Sequence, residues 1–477
     1  MAMSKNLINS LDDAVLETLS GLCYTYPQLE HRTSHRIVLS PDVRMYGCMY
    51  LYIRNNTSVD LHVSCLVTSY RDRKNKVALI CGGGSGHEPF AAGFVGRGML
   101  TASIAGSIFA APPSVHITRA LQCVARYNEA GILVVVPNYT GDCLNFGIAV
   151  EKAQQAGGIK VEEIIVGDDC SIPENEESVA GKRGLVGMLF VIKIAGAFAE
   201  REFPLYKVTK IAQHVSQNTA TYGIGLSACT VPGGSYSIPS NVGYTSSKDN
   251  NEKEKVKKIG ISLNIREQHM MKLCLKNACT AIIEKEGYLN ELDRGCGDGD
   301  CGSTLKRLAD NILNNLDNLS LSHPVALLSE IANIAEEQMG GTSGALYCLF
   351  FTTGAKELAL LDQKKDLRYI WYCAFLSGLK CLEKYGKAKA GDRTMIDTMY
   401  ATCITYEKLL NEDWNNFYDQ ITTAAWEGCD STKNMKPKAG RASYIKQTRY
   451  LTEVDAGAYA AATWIAAIAR TIMHFTE

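Results

Sequence analysis

Two patterns of apolar residues divide the chain. Between Lys76 and about Ser235 short β-type runs ("KVALICGGG", "ILVVVPNYTGD", "KVEEIIVGDD") alternate with stretches of helical spacing ("SVHITRALQCVARYNEAG", "LNFGIAVEKAQQAG"). That alternation predicts βαβ units and a largely parallel sheet. Each strand-like run ends in a turn rich in Gly, Asp or Ser, where open α/β sheets place their ligands. Residues 82–87, 138–142 and 167–169 are therefore expected on one shared rim. From Pro232 to about Lys258 the chain turns polar, charged and aperiodic, which reads as a linker. Beyond it apolar residues recur at helical spacing, as at Met271, Leu275, Ala278 and Ile282, with hardly any β-type run. The predicted fold is an α/β N-terminal domain (1–235), a linker (236–262) and an all-α C-terminal domain (263–477). Residues 44–72 alternate like a stray hairpin with no turn chemistry to explain it, and their overlapping sequons at Asn55 and Asn56 mean little in a cytosolic chain.

Composition narrows the class. The chain has 477 residues, 46% hydrophobic and 21% charged, with a net charge of -1. These values fit a soluble globular protein and give no electrostatic reason to expect nucleic acid or an anionic membrane as partner. The 17 cysteines are scattered without a CxxC pair, as expected of reduced thiols in a cytoplasmic protein. Asp12 and Asp13 stand where a signal peptide needs an apolar stretch. The run "AGAYAAATWIAAIA" is too short to span a bilayer.

Five motifs carry candidate chemistry. "GGGSGHEP" (82–89) follows a strand-like run but lacks the Gly-Lys-Ser/Thr of a P-loop, and His87 stands where the dinucleotide fingerprint needs its last Gly. What remains is either a structural turn or a loop whose backbone approaches a small ligand, with Ser85 and His87 beside it. Asp142 in "NYTGDCLNFG" is a helix N-cap or, opposite His87, an acid/base group for a hydroxyl. In "LDRGCGDGDCGST" Asp293, Asp298 and Asp300 fall at i, i+5 and i+7, with glycines that let the chain curl. Hard oxygen ligands so arranged suit Mg²⁺ paired with phosphate. An EF-hand is excluded because the twelfth position from Asp298 is Ala309, and zinc at Cys296 and Cys301 lacks a second Cys/His pair. "MGGTSGALY" and "GKAKAGDRTMIDT" are glycine loops between helical segments; together with the Asp triplet they look like one nucleotide site.

These motifs, with "AGFVGRGML" and "GKRGLVGMLFVIKIAGAFAE" before the linker and "STKNMKPKAGRASYI" after it, resemble the ATP-dependent dihydroxyacetone kinases. The arrangement is similar to the single-chain animal triokinase/FMN cyclases, with a triose-binding K domain followed by a helical-barrel L domain. The resemblance implies that Gly84, Ser85, Gly86 and His87 contact dihydroxyacetone, with His87 and Asp142 as catalytic groups. Asp293, Asp298 and Asp300 would hold two Mg²⁺ ions with ATP. The nucleotide would lie against Cys301, Gly302, Ser303, Thr304, Thr342, Ser343, Gly386, Met395, Arg441, Asp455, Ala456 and Gly457. It further implies glyceraldehyde as a second triose, cleavage of FAD to AMP and cyclic FMN with Mn²⁺ or Co²⁺, and a cytoplasmic homodimer without nucleic-acid or membrane partners.

Departures accompany the match. The family's His that binds the triose carbonyl follows the "SACTVPG" segment in a Gly-Ile-His-Gly-Glu motif; here "LSACTVPGG" runs into the linker and the second half of the K domain is missing. Pro137 and Cys143 stand where the family has Lys and Arg around Asp142, and residues 45–70 look like an insertion. A catalytically impaired nucleotide-binding protein is therefore the alternative to a working kinase.

Overall fold

A computed structural model describes residues 14–25, 30–32, 36–39, 73–126, 128–170, 181–184, 186–222, 260–294, 297, 299–361, 366–411, 416–439 and 453–476. The 44–72 hairpin, nearly all of the linker, Cys296, Asp298 and Arg441 lie outside the described residues. The chain divides into two compact units, Met1–Glu174 with Ala180–Ser240, and Asn241–Glu477 with Asn175–Val179.

The first unit is built on a sheet of β1 (Glu30–Arg32), β2 (Ile37–Leu39), β3 (Ala78–Ser85), β4 (Ala102–Ile108), β5 (Ile132–Pro137) and β6 (Val161–Val166), in the order β1-β2-β4-β3-β5-β6. The four strands from β4 to β6 run parallel, while β1 and β2 add antiparallel at one edge. The central runs read as continuously apolar because both faces are covered. Leu79, Cys81, Leu133 and Val135 pack on one face with Met188, Val191 and Ile192 of α4 (Gly187–Glu200) and Val208 and Ala212 of α5 (Leu205–Gln217). Ala78, Ile80, Ile132, Val134 and Val136 pack on the other with Ile117 and Leu121 of α2 (Ser114–Ala125) and Phe146 and Ala149 of α3 (Thr140–Ala156). Helix α1 (Ala14–Thr25) contributes Val15 and Leu19 to the first of these layers.

Strand β4 carries no strong β-type signal, because "ASIAGSI" is mostly Ala, Ser and Gly. Small residues suit its place beside β3, where a Cβ on Gly82 would come within 2.1 Å of the Ile104 carbonyl oxygen. The pairing of the two strands therefore excludes side chains that ordinary β-propensity favours.

The described part of the second unit is helical: α6 (Ile265–Glu284), α7 (Glu286–Arg294), α8 (Cys301–Asn315), α9 (Pro324–Ile334), α10 (Gly341–Leu358), α11 (Leu367–Gly386), α12 (Met395–Leu409), α13 (Phe417–Ser431) and α14 (Ala456–Thr476). Asn264 starts α6 with a capping box, accepting from the Glu267 N–H at 2.9 Å while its own N–H reaches the Glu267 carboxylate at 2.8 Å. On α6 Ala278 and Ile282 are buried as the spacing predicts; Cys274 and Cys279 join them, while Met271 and Leu275 are half-buried. The Ala-rich run forms α14, where Ala458, Ala460, Ala461 and Ala462 are all fully buried. No described helix is long and apolar enough to cross a membrane. Most of the described cysteines are buried.

Candidate functional site

Strand β3 lies between β4 and β5, so the chain leaves β3 toward one side of the sheet and returns on the other. The crevice at the carboxyl ends of β3 and β5 is thus the topological switch point, the usual ligand position in an open α/β sheet. The end of β3 is glycine-rich where backbone must come close: a Cβ on Gly84 would stand 2.9 Å from the Ala110 nitrogen, and one on Gly83 would stand 3.6 Å from Asp142 Oδ1. That last distance puts the Asp142 carboxylate directly over the β3 turn. Ser85 is buried and its hydroxyl donates to the Gly106 carbonyl at 2.9 Å. The Gly86 N–H donates to the Glu88 carboxylate at 3.0 Å.

Asp142 sits in the first turn of α3, whose N-cap is Tyr139, so it is not the cap itself. It is 6% exposed and its Oδ1 has no hydrogen-bond partner among the described residues. Burial pushes its carboxyl up to about 7, opposed only by its own backbone N–H. Among the described residues no cation offsets the rise. His87 lies on the exposed turn beyond β3, its ring 5.5 Å from that of Phe90, and no hydrogen bond or ion pair joins it to Asp142. The rim thus sets Asp142 over Gly83, the strand neighbour of Gly84 and Ser85, and leaves Gly86 and His87 at its solvent edge. The 167–169 turn is structural, since the Asp168 carboxylate accepts the Gly187 N–H at the start of α4 at 2.8 Å and also the Thr221 hydroxyl.

In the helical unit, Asp293 near the end of α7 organises the acidic loop. Its Oδ2 accepts the N–H groups of Gly299 at 2.9 Å and Asp300 at 3.1 Å, and its carbonyl accepts the Gly297 N–H at 2.6 Å. The backbone N–H of Asp300, and not its carboxylate, is thereby held against Asp293. Asp300 occupies the N-cap of α8, although its side chain does not cap the helix.

The other nucleotide candidates fall at helix ends. Residues Cys301, Gly302, Ser303 and Thr304 form the first turn of α8, and Thr342 and Ser343 the first turn of α10. Gly386 closes α11 against Leu346 of α10, where its Cβ would be 3.1 Å from Leu346 Cδ2. Met395 opens α12, and a Cβ on Gly457 would lie 3.5 Å from Met395 Cβ, so Met395 adjoins the Asp455–Ala456–Gly457 turn.

Two residues of this turn region were not among the candidates. Arg393 is 2% exposed; its Nη2 donates to the Glu453 carbonyl at 2.8 Å and its Nη1 stands 3.9 Å from Asp455 Oδ2. Asp397 accepts the Gly391 N–H at 2.5 Å and the Thr394 N–H at 2.8 Å, holding the loop before α12. The sequence signal for Arg393 is membership of the "GDRTMIDT" motif alone, because its partner Glu453 lies 60 positions away, whereas Thr394 and Asp397 stand at the spacing of a capping box.

Burial pushes the Asp455 carboxyl up to about 6; the Ala458 N–H and Arg393 oppose the rise, and the charges of Asp397 and Asp293 add to it. The fields of three carboxylates therefore overlap here, with one buried guanidinium to offset them. Carboxylate oxygens with surplus negative charge are the donor type that a hard divalent cation takes. Among the described residues no group of three or more His, Cys, Asp or Glu is placed to hold a metal ion; Asp298, the expected third ligand, lies outside them.

Comparison with known proteins agrees with this two-part organisation. The Dak1 domain matches residues 49–240 and the DAK2 domain residues 295–470. The triokinase/FMN cyclase of Mus musculus is 31% identical, with 98% of each chain covered. The dihydroxyacetone kinase of Citrobacter freundii is 30% identical, over 83% of this chain and 91% of that one. A crystal structure of the C. freundii kinase in complex with AMP-PNP and Mg²⁺ is similar at 25% identity and a TM-score of 0.36, covering 98% and 99% of the two chains. The mouse alignment runs over 602 positions, more than the 477 residues here, so that relative holds segments with no counterpart in this chain.

Proposed function

The chain belongs to the dihydroxyacetone kinase family, and on that premise we propose that it transfers the γ-phosphoryl group of ATP to a hydroxyl of dihydroxyacetone or glyceraldehyde. The observation that carries this reading is Asp142: a buried carboxylate with an unpartnered oxygen, over the glycine turn at the sheet's switch point, with its carboxyl raised to about 7. A group so tuned takes up the proton of a substrate hydroxyl near neutral pH. As the hydroxyl oxygen bonds to the γ-phosphorus, its proton passes to Asp142 and the bond from that phosphorus to the β,γ-bridging oxygen breaks, releasing ADP. Gly84 and Ser85 line the triose position and His87 contacts it from the exposed edge. Asp293, Asp298 and Asp300 hold two Mg²⁺ ions, which neutralise phosphate charge when bound. The first turns of α8 and α10, Gly386, Met395, Arg441 and the 455–457 turn receive the nucleotide. The same nucleotide site supports FAD cleavage as a second activity, with Mn²⁺ or Co²⁺ as its metal.

One observation favours a second reading, an impaired kinase that binds Mg-ATP without phosphorylating trioses. The mouse relative holds segments absent here, and no His stands in a Gly-Ile-His-Gly-Glu motif to bind the triose carbonyl. Two assays decide. Calorimetry with Mg-ATP is expected to show binding, and its absence removes both readings. A coupled assay with dihydroxyacetone, run beside FAD cleavage, is expected to show ATP-dependent turnover; cleavage of FAD without triose turnover selects the second reading.

A further inference from the structure

Ser303 is one of the residues expected to line the nucleotide, yet its polar groups are engaged elsewhere. Its N–H donates to Asn290 Oδ1 at 3.1 Å, its hydroxyl donates to Glu286 Oε1 at 3.1 Å, and that hydroxyl accepts from Asn290 Nδ2 at 3.0 Å. A serine hydroxyl has one proton to give, and here Glu286 takes it. Lys306, one turn further along α8, closes the arrangement by donating to Glu286 Oε2 at 2.7 Å. The two helices touch at this point: a Cβ on Gly302 would come within 2.1 Å of the Glu286 carbonyl oxygen.

Glu286, Asn290 and Asp293 follow one another at i, i+4 and i+7 along α7, on one face of the helix. The first two grip the opening turn of α8, and the third holds the loop that leads into it.

We propose that Asn290 is a positioning residue that clamps the Ser303 backbone N–H to α7, with Glu286 a weaker support at the hydroxyl, so that Ser303 serves the nucleotide site through the placement of its backbone and not through its hydroxyl. One helix face then fixes both the acidic loop and the turn that follows it. Asn290 is the stronger member, since it caps a helix N–H from a half-buried position, whereas the Glu286–Lys306 pair has side chains 30% and 38% exposed and is screened by solvent. The inference rests on the proposed nucleotide role of the α8 turn.

The test uses the full chain and three variants, each checked by circular dichroism to be folded at the assay temperature. Asn290→Ala is expected to weaken Mg-ATP binding about tenfold by calorimetry, as displacement of a positioned group does. Ser303→Ala, which keeps the N–H, is expected to change it less than about threefold. Asn290→Asp, which keeps the acceptor for that N–H, is expected to recover most of the loss. Hydrogen exchange of the 299–305 peptide in the nucleotide-free chain is expected to quicken in Asn290→Ala and to stay near the parent rate in Ser303→Ala. Equal losses of affinity in Ser303→Ala and Asn290→Ala, or exchange unaltered by Asn290→Ala, overturn the proposal. If the parent chain binds no Mg-ATP, the kinase reading fails, while the exchange measurement still decides the clamp.

Discussion

The two carboxylates at the centre of the candidate sites, Asp142 and Asp293, are treated in opposite ways. Asp142 is buried with an oxygen left unpartnered among the described residues, and burial raises its proton affinity. Asp293 has a carboxylate oxygen engaged by two loop N–H groups. Desolvation without partners makes a carboxylate that can exchange a proton near pH 7, and bonding to backbone N–H groups makes one that holds loop geometry. The first suits acid/base work and the second suits a metal loop. The contrast can be broken by experiment.

The largest effect is expected at Asp142. Asp142→Asn keeps shape and removes the base, and should lower triose turnover by about 10²–10⁴-fold while leaving Mg-ATP affinity unchanged. Steady-state kinetics beside calorimetry checks both halves. Retained turnover would show that Asp142 is not the proton acceptor.

Next comes Asp293. Asp293→Ala removes both the acceptor for Gly299 and Asp300 and a proposed metal ligand, and should weaken Mg-ATP binding by roughly 100-fold. Asp293→Asn keeps an acceptor for the loop and loses the charge. Comparing hydrogen exchange over 297–305 in the two variants separates loop bonding from metal charge, because loop order is expected to survive in Asn and to fall in Ala. If both lose order equally, the charge and not the bonding organises the loop.

A pH dependence tests the Asp142 half of the contrast. The folded pKa of Asp142, about 7, stands above the unfolded value of roughly 3.9, so between those limits the folded chain binds more protons than the unfolded chain. Stability from this group is therefore fully present below about pH 4, falls as the pH rises toward 7, and levels off above it. The difference between parent and Asp142→Asn should accordingly grow by about 2–4 kcal/mol in favour of the variant between pH 4.5 and 8, read by urea unfolding. Triose turnover should rise over the same interval with a midpoint near 7. A difference that stays flat with pH would mean that Asp142 is solvated.

Much of the first rim was legible in the sequence because its parts are local. Strand runs ending in "CGGGS" and "VVVPN" put glycine and Asp142 at strand ends, and parallel topology then fixes which ends are neighbours. Strand β4 was not legible, since its small residues answer to the close approach of β3 rather than to any propensity of their own. Asp293 was visible as chemistry but not as architecture: spacing showed three carboxylates that can converge, while the bonds from Gly299 and Asp300 depend on how the loop folds. Arg393 and Asn290 were missed because their partners lie 60 and 13 positions away, at distances no periodicity encodes, whereas Asp397 stands at the capping-box spacing from Thr394 and was within reach of the sequence.

The smallest effect tests whether bonding rather than exposure governs the helical unit's carboxylates in general. Asn264–Glu267 and Thr394–Asp397 are both capping boxes, but the first only starts α6, whereas Asp397 also holds Gly391 and so fixes the loop that presents Met395 to the Gly457 turn. Loss of either cap, in Asn264→Ala or Thr394→Ala, should cost about 1 kcal/mol in urea unfolding. Only Thr394→Ala should also weaken Mg-ATP binding, by about two- to threefold, because Asp397 then loses the cap that steadies it. Equal affinities in the two variants would confine the Asp397 cap to helix stability. A threefold loss in Thr394→Ala alone would extend to Asp397 the rule drawn from Asp293, that a carboxylate bonded to loop N–H groups in this unit shapes the nucleotide site.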